Sequence, residues 1–430
     1  MDRALAALLL VCALAPALAQ PVLPHYSRDR SLGVASCASS LCHGSVEPWQ
    51  NARVQQNEYV TWSRTDRHAR AYDTLLTERS AEIARKLGLK APAHQSDVCL
   101  DCHAHNPGPE RRARGFVQSD GIGCEACHGP SERWIKSHVE PGATRRANIA
   151  HGMYPTGEPL ARGRLCVSCH VGNTQKLVTH RMMAAGHPRL SFEIDTFSHL
   201  QPHHYARNGE DGAHLWAIGQ VLAAEEQLDI LLDPKRGRDG LFPELVVFDC
   251  HACHHAMSQK RAAGTRLGLA PGAVRLNDSS LLMVRHIARR VTPARAEALA
   301  RDIAQLHTAI AGGDDALAQA RRVRQSLQEL VQATNAYRFS AADLRAVLFA
   351  LIDDGLAGEY SDYQGAEQAT MALQALADLM SRRGLLRAEA LKPAMSQLLA
   401  AVANDEDYHP TKYTQALREL RAGIERQKAR

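Results

Sequence analysis

Five times in this chain, a pair of cysteines is followed at once by a histidine, and this pattern constrains the fold more than any other feature. Four copies have two residues between the cysteines, and one copy has four. We number them motifs 1 to 5 in chain order. Their residues are Cys37, Cys42 and His43 (motif 1), Cys99, Cys102 and His103 (motif 2), Cys124, Cys127 and His128 (motif 3), Cys166, Cys169 and His170 (motif 4), and Cys250, Cys253 and His254 (motif 5).

Two thiols with an adjacent histidine form the attachment signature of a c-type haem. Each thiol can add to one vinyl group of a porphyrin, and the histidine then reaches the iron from one face. In motif 1, the two additional residues can bulge out of the turn without moving the sulfurs apart. The sequence therefore predicts five covalent haems, each attached to two cysteines and ligated by its motif histidine.

The cysteine count agrees with this prediction. The chain has 11 cysteines, and the one outside the motifs is Cys12. It lies within residues 1–19, where a charged start, a short apolar run and small residues are typical of a secretory signal peptide. The run is too short to span a membrane. We expect cleavage of this segment to leave a periplasmic chain without a membrane span, in which every cysteine belongs to a motif.

Two other uses of the cysteines fit the pattern less well. A disulfide framework suits an exported chain, but it does not explain a histidine after every second cysteine. Zinc ribbons use pairs of Cys-x-x-Cys knuckles, and five knuckles do not pair evenly into four-ligand sites. Haem attachment accounts for both the histidines and the odd number of motifs.

Histidines outside the motifs are the candidate ligands for the second face of each iron. Of 22 histidines, 19 lie within residues 1–259, and 14 of those are not motif histidines. We predict as distal ligands His68, His94, His138, His187 and His255, with His204 in reserve and His105 and His180 next. The sequence does not indicate which of these histidines serves which iron.

Local patterns support three of these ligands. His68 lies in a predicted helix over residues 57–88, where its alternative role is that of a buried core histidine. His187 stands between a glycine and a proline, at the end of a predicted helix that also carries His180. His255 follows His254 directly, and because neighbouring residues of a turning chain point apart, the two can serve different haems.

Helix signals dominate the chain, and strand signals are almost absent. We predict a mainly α fold with a pentahaem cytochrome c domain over residues 20–274 and little sheet. An all-α helical bundle over residues 275–430 follows, and it contains no cysteine. The bundle carries a capping box at Ser340 and Asp343. Its expected role is docking or oligomerisation, with a structural cap as the alternative.

The net charge does not indicate a nucleic-acid partner. The formal value is +5, but the basic residues are dispersed and do not cluster as a nucleic-acid-binding face would. The propionates of five haems would also offset this positive charge. We therefore expect no nucleic-acid binding.

Several segments resemble the multihaem cytochromes c of the cytochrome c-554 type. These segments are Cys37–Ser45, His68–Tyr72, Gly121–Pro130, Ala185–Leu190 and Asp249–His255. The resemblance extends over about residues 31–260 and implies a periplasmic electron carrier in which most irons are bis-His. The type member of the family has four haems, whereas this chain has five motifs. The wider group includes ammonia-forming nitrite reductases, in which lysine replaces one motif histidine, whereas all five motifs here end in histidine. It also includes hydroxylamine oxidoreductases, which carry more haems than the five motifs of this chain.

We accordingly expect a carrier that relays single electrons through five haems. Its partners would be periplasmic redox proteins or a quinol-oxidising membrane complex. The alternative is a haem oxidoreductase that acts on a small nitrogen or sulfur compound at one five-coordinate haem. Because 14 spare histidines for five irons do not require an open iron, the sequence favours the carrier, and no catalytic residue is predicted.

Overall fold

The structure is a computed structural model that describes residues 21–50, 52, 54–202, 204–205, 211–240, 242–254, 273–312 and 315–428. The predicted signal peptide at residues 1–19 and the candidate ligand His255 lie outside the described residues. The described part of the chain is mainly α, which confirms the predicted fold class. Its one sheet is a hairpin of two short strands, β1 (Arg238–Asp239) and β2 (Phe242–Pro243).

Short helices joined by turns make up the part of the chain that carries the motifs. They are α1 (Glu58–Thr65), α2 (Glu78–Leu87), α3 (Asp97–His103), α4 (Cys124–His128), α5 (Arg145–Ala150), α6 (Pro159–His170), α7 (His180–Ala185), α8 (Ile194–Leu200) and the longer α9 (Gly212–Leu232). Single turns of 3-10 helix lie between them. They are Pro24–Tyr26, Val34–Ser36, Arg67–Arg70, Asp73–Leu76, Ala93–Gln95, Pro109–Arg111, Gln118–Asp120, Ser137–Val139, Leu245–Val247 and Cys250–Ala252.

The single helix predicted over residues 57–88 is wrong, because two capping residues interrupt it. The Asp66 carboxylate accepts from the amide of His68 and starts a 3-10 turn. The Thr77 hydroxyl accepts from the amide of Ser80 and starts α2. Side chains of this kind satisfy the free amides at a helix start. The predicted stop at Gly88 is confirmed, since that residue ends α2 with a φ of 70°.

The C-terminal bundle contains seven helices in the described residues. They are α10 (Ser279–Val291), α11 (Pro293–Gly312), α12 (Ala316–Ala336), α13 (Ala341–Leu356), α14 (Tyr363–Arg382), α15 (Ala388–Ala401) and α16 (Pro410–Lys428). The capping box that starts α13 is confirmed, because Ser340 and Asp343 each accept the backbone amide of the other.

Helix α9 joins the motif-bearing part of the chain to the bundle. It is apolar on nearly all sides, as is typical of a helix that is buried all round, and Trp216 in its first half is 0% exposed. It packs against α6 and α8 of the motif-bearing part and against α10, α12 and α14 of the bundle. One apolar core therefore runs from Val167 to Ile424. The domain boundary at residue 275 stays a prediction, and the core crosses it.

A helix that crosses a bilayer needs about 20 mostly apolar residues. None of the helices in the described ranges combines enough length with enough apolar character to span a membrane.

Candidate haem-binding sites

Each cysteine pair, whether two or four residues separate its cysteines, lies on a tight turn that ends at the motif histidine. Motifs 2, 3 and 4 are the last residues of α3, α4 and α6, and motif 5 begins with the 3-10 turn Cys250–Ala252. One helical turn brings residues three and four positions apart to the same face. The two sulfurs and the imidazole of each motif are therefore presented together.

Motif 1 reaches a similar closure with two more residues. In motif 5, the amide of His254 donates to the carbonyl of Cys250 at 2.8 Å. In motif 1, the amide of His43 donates to the carbonyl of Cys37 at 3.2 Å, although the two residues are further apart in sequence. Leu41, which lies in the inserted stretch, is 81% exposed. The inserted residues thus project into solvent while the ends of the motif stay together.

Every motif histidine faces the ring of a second histidine that comes from elsewhere in the chain. The ring pairs and centroid distances are His43–His138 at 6.4 Å, His103–His187 at 6.3 Å, His128–His204 at 6.3 Å, His170–His68 at 6.0 Å and His254–His180 at 6.2 Å. Five motifs are thus matched by five facing imidazoles, and no histidine is shared between two pairs.

The spacing within the pairs fits one metal ion between two imidazoles. A bond from a metal to an imidazole nitrogen is about 2 Å long, and each nitrogen lies about 1.1 Å from its ring centre, so two rings on opposite sides of a metal place their centroids about 6 Å apart. The observed range of 6.0 to 6.4 Å agrees with this value. Aromatic rings in contact without a metal also have centroids about 4.5 to 7 Å apart, so this spacing gains its weight from the pairing of every motif histidine with another histidine. The histidine pairs therefore fit bis-His ligation of a haem iron.

Hydrogen bonds orient five of the ten rings through Nδ1. The acceptors are Glu58 Oε2 for His43 (2.9 Å), Asp66 Oδ1 for His68 (2.9 Å), the Ala71 carbonyl for His103 (3.1 Å), the Ile135 carbonyl for His138 (2.7 Å) and the Pro188 carbonyl for His187 (2.8 Å). A histidine that binds a metal usually donates its other ring N–H in this manner. The bonds leave Nε2 as the nitrogen available to iron.

The Glu58 carboxylate raises the pKa of one motif histidine, His43, through its hydrogen bond. Burial instead keeps three other motif histidines in the form that ligates metals. It lowers the pKa of His128 to about 4, and it also lowers the pKa of His170 and His103. Only the neutral imidazole has a lone pair to offer to iron. These rings are therefore neutral over the physiological pH range before any metal binds.

Three of the predicted distal ligands lie in these pairs, namely His68, His138 and His187. The helix predicted to carry both His180 and His187 is shorter than expected. It ends at Ala185, and Gly186 follows with a φ of 120°. Because the chain turns there, His180 faces motif 5 while His187 faces motif 2.

His94 is placed differently. Among the described residues, its ring faces Tyr72 edge-on at 6.4 Å, not a motif histidine. His105 is buried, and its Nε2 lies 2.7 Å from the Ser31 hydroxyl. Burial lowers the pKa of His105 to about 3, so it resembles a core histidine with a satisfied hydrogen bond. The two positions opposite motifs 3 and 5 are taken by His204 and His180, which had ranked lower in the sequence analysis.

The motifs also adjoin one another through their thiols. A hydrogen bond between the thiols of Cys37 and Cys124 joins motifs 1 and 3 and lowers the pKa of Cys37 to about 7. A similar bond from Cys102 joins motifs 2 and 4 and lowers the pKa of Cys169. Cys127 of motif 3 is buried near Cys166 of motif 4, and both burial and that neighbouring charge raise its pKa. Motifs 1 to 4 therefore form one contiguous group.

A buried lysine lies at the contact between motifs 2 and 4. The ammonium of Lys176 donates to Cys169 Sγ at 2.9 Å and to the carbonyl of Asp101 at 3.3 Å. The loop that follows motif 4 holds it there, since the Asn173 carboxamide oxygen accepts the amide of Lys176. A cation in a buried site acts strongly on neighbouring charges. The sequence pattern did not single out this residue.

Comparison with known proteins supports the same cofactor class. Residues 36–129 match the family model described as cytochrome c554 and c-prime. That span holds motifs 1, 2 and 3 and covers less than half of the chain. A domain of this family implies a multihaem electron-transfer protein with covalent haem c. No significant match was found among curated proteins or among solved structures.

Proposed function

We propose that this chain binds five c-type haems and relays single electrons between redox partners in the periplasm. The ten motif cysteines would attach the haems, and the five motif histidines would ligate the irons from one side. The distal ligands would be His138, His187, His204, His68 and His180 for motifs 1 to 5 in that order. This set uses His204 and His180 where the sequence had favoured His94 and His255.

One observation carries the proposal, and it is the set of five histidine pairs. Their centroids lie between 6.0 and 6.4 Å apart, each pair contains one motif histidine, and the second ring always comes from a distant part of the chain. A chain that used its cysteines for disulfides would have no reason to hold five imidazole pairs at this spacing. The ten described cysteines are also free of disulfides.

The residues around the sites support electron relay. A haem held between two imidazoles supplies one-electron transfer and leaves no coordination position for a substrate. Nδ1 hydrogen bonds hold five of the ten rings in place, which limits their reorganisation when the charge of the site changes. Cys37 lies beside Cys124, and Cys102 lies beside Cys169, so the haem sites of these motifs would be neighbours. Short separations between sites favour transfer along the chain.

The alternative function, a haem oxidoreductase acting on a small nitrogen or sulfur compound, requires an iron with an open position. Each of the five motif histidines faces a second imidazole. The observed geometry therefore favours the carrier. The partners that fit single-electron relay are periplasmic redox proteins or a membrane complex that oxidises quinol.

The test is a haem count and a spin-state measurement on the holoprotein, produced in a host that matures cytochromes c. We expect an intact mass with five haems after loss of residues 1–19, and an optical spectrum that is low-spin throughout. A mass with four haems or fewer would contradict the proposal. A high-spin fraction that shifts with nitrite, hydroxylamine or nitric oxide would favour the oxidoreductase instead.

The unusual spacing of motif 1 needs its own test. The double variant Cys37→Ala/Cys42→Ala should lower the haem count by one. The matched double variant Cys99→Ala/Cys102→Ala in motif 2 should lower it by the same amount. If the motif 1 variant retained the full count, that motif would not attach a haem.

A further inference from the structure

Motif 5 is built against the first turn of a bundle helix. Three consecutive residues of the motif segment, Asp249 to His251, face three consecutive residues at the start of α14, Asp362 to Gln364. The guanidinium of Arg275 bridges Asp249 and Asp362 at 3.0 and 3.1 Å. The rings of His251 and Tyr363 meet at 6.1 Å. Two acidic residues that share one cation and two rings in contact fix the register between these segments.

A third contact between these segments involves an attachment cysteine. The Gln364 amide donates to Cys250 Sγ at 3.8 Å. Gln364 is 5% exposed, and its carbonyl oxygen has no hydrogen-bond partner among the described residues. A buried polar atom without a partner is unfavourable.

A cavity opens beside this contact. Its empty volume is about 860 Å³, including the part open to solvent. Cys250 and His170 line it from the motif-bearing segment, and Gln364, Glu367 and Gln368 line it from α14. The enclosed part of this space is about 110 Å³, less than the several hundred Å³ of a cofactor pocket. The cavity therefore shows only that open space lies between Cys250 and α14.

One salt bridge joins the two parts of the chain at this cavity. Arg189, two residues after His187, pairs with Glu367 at 3.1 Å. The same guanidinium lies over the Tyr363 ring at 5.3 Å from the centroid. A cation over an aromatic face contributes to such a contact. The bundle is therefore fastened to the motif-bearing segment at this cavity.

From these contacts we propose that α14 forms a wall of the fifth haem pocket and that Gln364 is a positioning residue for the haem attached at Cys250. This inference rests on the proposed five-haem function. It gives the cysteine-free bundle a direct role, because the fifth site would be incomplete without it. Motif 5 would then differ from motifs 1 to 3, which lie inside the family match at residues 36–129.

The test uses the full-length holoprotein with two substitutions of Gln364. Gln364→Leu removes the amide at similar volume, and Gln364→Phe adds bulk toward the cavity. Gln374→Leu and Gln374→Phe serve as matched controls, since Gln374 is half-buried on the same helix and does not line the cavity. The measurements are haem count by intact mass and a potentiometric titration that resolves the individual haems.

We expect Gln364→Leu to keep five haems and to lower the potential of one of them, because the N–H dipole that favours the reduced state is lost. A threefold change in the ratio of reduced to oxidised haem corresponds to about 28 mV for a one-electron couple. Gln364→Phe should lower the haem count by one in a substantial part of the sample. Both Gln374 variants should match the unsubstituted protein in count and in potentials.

Two outcomes would overturn the inference. One is that Gln364→Phe binds five haems with all potentials unchanged. The other is that the Gln364 variants lose several haems together, which would assign α14 a general structural role. An unsubstituted protein with fewer than five haems would contradict the proposed function itself, so failure of the two proposals can be told apart.

Discussion

Removal of His204 should convert one haem of five into a five-coordinate haem. The structure places this ring 6.3 Å from that of His128, whereas His94 faces Tyr72. Substitution of these two histidines should therefore have different effects on iron coordination. His204→Ala should open one iron, and His94→Ala should open none.

The magnitude follows from the independence of the five pairs. Each motif histidine has its own facing imidazole, so the loss of one distal ring leaves four pairs intact. One fifth of the haem absorbance should therefore change from low-spin to high-spin. The variant His204→Met should instead keep a sixth ligand and raise the potential of that haem, because a thioether ligand favours reduced iron relative to a second imidazole.

Carbon monoxide titration of the reduced protein measures the number of open irons. We expect one equivalent bound per chain in His204→Ala and none in the unsubstituted protein or in His94→Ala. Added imidazole should restore the low-spin spectrum of His204→Ala, because it replaces the missing ring. A circular dichroism spectrum that matches that of the unsubstituted protein would confirm that the fold is retained.

Two results would refute the reasoning. If His94→Ala bound carbon monoxide and His204→Ala did not, the facing rings would not identify the ligands. If the unsubstituted protein bound one equivalent, one iron would be open in the native state, and the oxidoreductase alternative would gain support.

Three further predictions concern other parts of the molecule. Lys176→Met removes a buried cation beside Cys169 and should lower the reduction potentials of the haems at motifs 2 and 4. The expected shift is about 59 mV for each haem, which is a tenfold change in its ratio of reduced to oxidised form. Potentiometry measures this shift, and unchanged potentials would exclude the electrostatic role of Lys176. The ring planes of the histidine pairs meet at 80°, 71° and 88° at motifs 2, 3 and 4, but at 11° and 37° at motifs 1 and 5. Electron paramagnetic resonance should therefore show three haems with nearly perpendicular ligand planes. Five signals of one type would contradict the pairing. Burial, followed by the nearby Asp195 charge, raises the pKa of Glu193 from 4.5 to about 7, so the folded chain binds the carboxyl proton of Glu193 more tightly than the unfolded chain does. The free energy of unfolding should therefore fall by about 3 kcal/mol as the pH rises from about 4.5 to 7. In Glu193→Gln, thermal unfolding should show no such fall with pH, and a pH profile like that of the unsubstituted protein would contradict this prediction.

The attachment chemistry was determined by the sequence alone. Two thiols and an imidazole act within one turn, so their spacing can be recognised without knowledge of the fold. The same holds for helix starts, because a capping side chain satisfies amides only two or three residues away. The capping box at Ser340 was predicted for that reason, and the helix end at Gly88 because glycine readily adopts the positive φ that ends a helix. Where a local cap was overlooked, at Asp66 and Thr77, the predicted helix was too long.

The distal faces of the sites depended on the tertiary structure. His68 and His170 are about a hundred positions apart, and no periodicity links a motif to the ring that folds across from it. His94 and His204 are equally plausible ligands in sequence, and only the folded chain turns one toward Tyr72 and the other toward His128. The contact of Gln364 with Cys250 likewise joins residues more than a hundred positions apart. Covalent attachment depends on residues within one turn, so the sequence pattern predicts it. The second ligand and the pocket wall depend on long-range packing, which the spacing of residues along the chain does not predict.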